Sequence, residues 1–239
     1  MADCKITEPT VKEVEIPVPW GLVKGKWWGP EDRQPFLAVH GWQDNCGSFD
    51  ALASLLAPEI SLLCIDLPGH GLSSRMPAGL TESSQPSYEY AEMVQIAMDA
   101  HNGSLTKQSC ETMMKRGMLR SPQNAREFTF TRDPRLKVAG LAMFSKDQVY
   151  AYADKISCEY LNIRARPGIK FELPEVYGEL MDKIKSTAKR FEYHELPGTH
   201  HLHMNEGSRE QVAAVVRRFI RENKANGVKN VVEENGIEQ

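Results

Sequence analysis

The pattern of apolar and polar positions predicts an α/β chain. Residues 11–18 alternate, Pro19-Trp20-Gly21 punctuates, and Leu22 to Trp28 continues extended, which predicts a hairpin. Phe36-Leu37-Ala38-Val39-His40 is apolar without alternation, as expected for a parallel strand covered on both faces. A helix capped by Ser48 sets Leu52, Leu55 and Leu56 on one face, and Pro58 stops it. Ile60 to Ile65 is a second apolar strand, closing at Asp66. Strand, helix and strand within about thirty residues form a βαβ unit and imply parallel neighbours.

Residues 67–86 are a loop rich in Gly, Pro and Ser. Helical spacing returns over 87–101 and again over 104–117, where Ser104 or Thr106 is the cap and Gly117 the stop. Phe128 to Phe130 is a short extended piece. Then follow a helix over 146–156 capped by Ser145, a strand over 160–163, a helix over 175–188 and a strand over 191–196. The last periodic segment, Ser208 to Arg221, turns Val212, Val215, Val216 and Phe219 inward, and the polar tail from Glu222 is expected to fray. No internal repeat is present.

The chain has 239 residues, 41% hydrophobic and 26% charged, enough to bury one sizeable core. A net charge of −3 supplies no field for nucleic acid or an anionic membrane. No apolar run is long enough to span a bilayer, and the N-terminus lacks the apolar centre of a signal peptide. Cys4, Cys46, Cys64, Cys110 and Cys158 are odd in number and show no CxxC spacing. They read as free thiols in a reducing compartment, so the expected location is intracellular and cytoplasmic.

Four segments are candidates for chemistry. His40-Gly41-Trp42 ends a strand, where open α/β sheets bind ligands, and a Trp42 amide aimed into the crevice can stabilise an oxyanion; taken alone, the segment also reads as an ordinary strand-to-loop turn. Asp66-Leu67-Pro68-Gly69-His70-Gly71-Leu72-Ser73-Ser74 reads as a structural turn that shapes the crevice. Pro197-Gly198-Thr199-His200-His201-Leu202-His203-Met204 lies between a strand and the last helix, so a histidine there can reach the crevice. Three histidines in four residues also suit zinc, but no second ligand cluster accompanies them, and no metal is expected. Glu172 follows the 160–163 strand and is placed to orient a histidine; taken alone, it reads as a solvated carboxylate.

The order of VHGW, DLPGHGLS and LPGTHHLHM resembles the α/β-hydrolase superfamily. VPWGLVKGKWWGP, VHGWQDNCGSFD, NGSLTKQSCETMMKRG, FTRDPRLK and PGTHHLHM resemble its serine hydrolase-like branch more narrowly, over nearly all of residues 11–221. The resemblance implies an α/β-hydrolase sheet with flanking helices and a small helical cap. Residues 1–86 and 128–221 would form the two parts of the hydrolase core, 87–127 a cap remnant and 222–239 a tail. It implies ester-type acyl hydrolysis of a small molecule by a Ser–His–acid triad without cofactor or metal. His200 takes the base position by the PGTH match, ahead of His201 and His203. Glu172 is the nearest match to the acid, and Trp42 supplies an oxyanion amide. A peroxisomal or vesicular association is compatible with the resemblance, although Gly236-Ile237-Glu238-Gln239 is not an SKL-type address.

The nucleophile is missing. The sequence contains no G-x-S-x-G, G-x-D-x-G or G-x-C-x-G. Where the elbow belongs, residues 77–86 pass directly into the cap-like Tyr88-Glu89-Tyr90. The expectation is an internally truncated fold lacking the central strand and elbow helix, roughly 60 residues at about thirty per strand–helix unit. Loss of a triad nucleophile costs about a millionfold in turnover. Ser73 and Ser74 lie near the rim without the turn that raises a nucleophile toward its base. Loss of a central strand would also strip apolar cover from the Phe36 and Ile163 strands. Three readings follow: an impaired serine hydrolase homologue, an active hydrolase with another nucleophile, and a non-enzymatic binding module. The first is the expected one.

Overall fold

The computed structural model describes residues 10–75, 86–137, 144–169 and 173–234. The chain divides into two compact units, one of residues 1–139 with 203–209 and the other of residues 140–202 with 210–239.

In the first unit the predicted hairpin forms. Strands β1 (Val11–Val18) and β2 (Gly21–Trp28) pair antiparallel in continuous register, from Val11 opposite Trp28 to Val18 opposite Gly21. Strands β3 (Phe36–Val39) and β4 (Leu62–Ile65) pair parallel, and α1 (Asp50–Leu56) crosses between them, completing the βαβ unit. The four strands run in the order β1-β2-β4-β3. Gly25 is required where β2 crosses β4, because a Cβ there would stand 2.4 Å from the Cys64 carbonyl oxygen.

Position in that order corrects one expectation. Among the described residues β3 is the edge strand, and its apolar side chains are not covered on both faces: Leu37 is 62% exposed. β4, flanked by β2 and β3, buries Cys64 completely. The helix start also differs. A 3-10 turn over Cys46–Phe49 precedes α1, and Asn45, not Ser48, caps it by accepting the Gly47 amide at 2.9 Å. Ser48 lies inside the turn.

Helix α2 (Tyr90–Ala100) starts later than 87, because Tyr88 is held in a bridge with Phe128 and Ser87 donates to the Glu127 carboxylate. Helix α3 (Lys107–Gly117) is capped by Thr106, whose Oγ1 accepts the Ser109 amide. Val94 and Ala97 of α2 pack with Cys110, Met113 and Met114 of α3 around Leu105 and Met204. This methionine-rich cluster fills irregular space with flexible side chains. A three-residue strand missed in the sequence, β5 (Met118–Arg120), pairs with β6 (Phe128–Phe130). Cys46, Cys64 and Cys110 are buried free thiols.

In the second unit β7 (Glu159–Arg166) and β8 (Arg190–Pro197) form a parallel pair. Helix α4 (Lys146–Ala153) begins with the predicted Ser145 cap, closed into a capping box by Gln148. Helix α5 (Pro174–Thr187) buries Ile184, and α6 (Ser208–Glu234) buries Val212 and Ala213 and extends beyond the predicted end. Every residue of β7 before Arg166 is only half-buried, Ile163 included.

Candidate functional site

The loops after β3 and β4 are bound to each other by His40. Its Nδ1 faces the Gly41 carbonyl at 2.8 Å, and its Nε2 lies 3.0 Å from the Leu67 amide. A carbonyl can only accept and an amide only donate, so the proton sits on Nδ1 and the ring is neutral in this arrangement. Beyond it the backbone curls. Gln43 has φ 65°, and the Asp44 amide donates to the Gly41 carbonyl at 3.2 Å. The Trp42 side chain is 61% exposed.

Asp66, at the end of β4, organises the next loop. Its carboxylate accepts the Cys46 amide at 2.7 Å and the Leu72 amide at 2.9 Å. Arg116 of α3 adds Nε and Nη2, at 3.1 and 2.8 Å, and its Nη1 reaches Glu13 at 2.6 Å. Burial pushes the Asp66 carboxyl up, but Arg116 and the two amides outweigh burial and hold it below the usual carboxylate range. Burial opposes the Arg116 charge too, and its two carboxylate partners more than offset that. Gly71, at φ 50°, has to be glycine: a Cβ there would fall 2.3 Å from the Asp66 carboxyl carbon. His70 stays within the loop as expected, with Nδ1 3.1 Å from the Pro68 carbonyl. Burial keeps its pKa low.

Both serines near the rim are engaged with β2. Ser73 Oγ donates to the Asp66 carbonyl at 2.6 Å and accepts the Lys24 amide at 2.8 Å. Ser74 Oγ accepts the Leu22 amide at 3.0 Å. These bonds extend the strand edge into the loop.

A narrow crevice opens beside these loops, lined by Asp44, Asn45, His101, Met113, Phe130 and Arg132 among others. His101, at the carboxyl end of α2, donates from Nδ1 to the Ala97 carbonyl at 2.6 Å. Its Nε2 faces Asp44 Oδ1 at 3.7 Å. The Asp44 carboxylate raises the His101 pKa, against a smaller opposing effect of burial. This pair is not among the sequence candidates. The available signal was His101-Asn102-Gly103, a helix ending with an imidazole where a cation is favoured.

In the second unit β8 ends at Pro197, and Gly198 turns the chain at φ 141° while its amide donates to the Arg166 carbonyl at 3.2 Å. His200 follows, exposed, with its ring 4.9 Å from that of His201 and nearly perpendicular to it. His201 is buried. His203 belongs to the first unit and packs its ring 5.7 Å from Phe49. Trp42 and His200 thus fall in different units, and Glu172 lies outside the described residues.

No protein-family model matches the chain. It is 36% identical to a Drosophila melanogaster protein named "Probable serine hydrolase", over 298 aligned positions covering 90% of this chain and 89% of that protein. An alignment of that length over nine-tenths of a 239-residue chain includes positions of the relative with no counterpart here. Among solved structures, an α/β hydrolase from Novosphingobium aromaticivorans superposes with a TM-score of 0.63 at 12% identity, covering 88% of this chain and 98% of that one. The thioesterase domain from the curacin biosynthetic pathway superposes at 0.71 and 15% identity, covering 87% and 99%. No described helix is long and apolar enough to cross a membrane. With an α/β-hydrolase fold and a relative matched along nearly its whole length, this chain belongs to the serine hydrolase-like family.

Proposed function

We propose that the chain is a catalytically impaired serine hydrolase homologue, which keeps the fold for cleaving a small acyl ester but lacks the attacking atom. In this reading His200 occupies the base position, Glu172 the acid position and Trp42 the oxyanion position. Residues 1–86 and 128–221 are the two parts of the core, 87–127 a cap remnant and 222–239 a tail. The observation that carries the proposal is the absence of a G-x-S-x-G, G-x-D-x-G or G-x-C-x-G anywhere in the 239 residues. Two further observations support it. The Ser73 and Ser74 hydroxyl oxygens accept amides of β2, and Ser73 donates its proton to the Asp66 carbonyl. The exposed apolar edge at β3 and the unmatched positions of the Drosophila relative agree with a missing internal segment. The free thiols at Cys46, Cys64, Cys110 and Cys158 support a reducing compartment.

A fluorophosphonate probe tests the proposal, because it labels an activated serine. Folded protein is expected to remain unlabelled and to leave p-nitrophenyl acetate at its background rate. Labelling that disappears in Ser73→Ala or Ser74→Ala would establish an active hydrolase with another nucleophile. Ester hydrolysis lost in His200→Ala would do the same.

A further inference from the structure

We propose that the first unit binds a small tetrahedral oxyanion, of the phosphate class, at the N-terminus of α3. A small open cavity lies there, lined by Ser48, Thr106, Gln108, Thr112, Glu206 and Arg209 among others. Helix α3 has eleven residues and no acidic side chain in its first turn, so its positive end is not neutralised from within the helix. Thr106 satisfies the Ser109 amide, while the Lys107 and Gln108 amides have no acceptor inside the helix, as the first turn of any helix dictates.

An independent observation comes from Ser48, which lines the same cavity. Ser48 is 1% exposed, and its Oγ has no hydrogen-bond partner. A buried hydroxyl in that state is costly, and a ligand oxygen in the cavity would relieve it. The serine is not needed as the local cap, because Asn45 performs that role. Arg209 is the cationic side chain of the lining and favours an anion; Glu206 is its acidic side chain and is exposed. A site with one guanidinium, a helix N-terminus and the unpartnered Ser48 hydroxyl, beside one exposed carboxylate, suits a compact anion better than a large ester. It is independent of the hydrolase reading.

Isothermal titration of the full chain with inorganic phosphate, at constant ionic strength, tests the site. Wild-type protein is expected to give a saturable heat. Ser48→Ala and Arg209→Gln are each expected to weaken binding roughly tenfold, the loss of one charge-assisted hydrogen bond. Lys189→Gln, an exposed charge in the second unit, is expected to bind as wild type. Circular dichroism confirms that each variant folds; should Arg209→Gln fail to fold, Ser48→Ala still decides. Absence of saturable heat would overturn the proposal. So would unchanged affinity in Ser48→Ala, which would leave water as the hydroxyl's partner, or equal weakening in Lys189→Gln.

Discussion

β3 and β4 are neighbours of the same length, joined in one parallel ladder and almost equally apolar in sequence. Yet β4 buries Leu62 and Cys64, whereas Phe36, Leu37 and Val39 of β3 stand largely in solvent. The difference is one neighbour. β2 closes the far side of β4, and no described strand pairs with the far side of β3. The loops at their ends differ in the same sense. Beyond β4, Asp66 is clamped by two amides and Arg116, while beyond β3 the Trp42 side chain projects outward. Composition made both strands candidates for the core, and sheet position decided which one entered it.

The largest test of this contrast is Arg116→Met. It leaves the Asp66 carboxylate buried without its cation and is expected to cost about 3–5 kcal/mol in urea unfolding. A loss below about 1 kcal/mol would mean that the two amides suffice. Next comes a matched pair of truncations. Leu62→Ala on β4 is expected to cost about 2–5 kcal/mol, and Leu37→Ala on β3 no more than about 0.5 kcal/mol. Similar losses at the two positions would break the comparison outright.

Two smaller tests use pH. The folded pKa of Asp66 is depressed, so its contribution is complete above the unfolded value of about 3.9 and is lost as pH falls through the folded value. Denaturation between pH 2 and 6 should therefore show a stability slope that Asp66→Asn flattens. His101 has the opposite sign. Its folded pKa is raised, so its contribution is complete below about 6.5 and is lost as pH rises through the folded value. His101→Gln should flatten a shallower slope above neutrality; an unchanged slope would show that the Asp44 pairing adds no stability.

Features set by nearby residues were legible in the sequence. Pro19-Trp20-Gly21 marks the hairpin turn, Ser145 with Gln148 starts α4, and Thr106 was one of two candidate caps for α3. Where two local signals compete, the sequence alone does not choose: Asn45 and Ser48 are both good caps, and the extra 3-10 turn favours the earlier one. β5 was invisible because Gly117 reads as a stop and only pairing with β6 makes the next three residues a strand. The exposure of β3 and the Asp66–Arg116 clamp depend on partners far along the chain, fifty residues apart in the second case. Of the candidate site, the bonding of His40 and His70 shows loops held as the turn chemistry suggests. The Asp44–His101 pair was missed because its members lie on separate elements that no local pattern connects.

The sulfur atoms of the chain form a graded set of reporters. Thiolate is the species that reacts with an alkylating reagent. Burial pushes the thiols of Cys64 and Cys110 up to about 12 and about 11, and drives that of Cys46 up as well. Cys158, just before β7, is exposed. Iodoacetamide should therefore modify Cys158 at once, while Cys46, Cys64 and Cys110 wait for their own unit to open. Mass spectrometry of the labelled peptides would then time the breathing of the four-stranded sheet and of the methionine cluster separately, with no engineered probe.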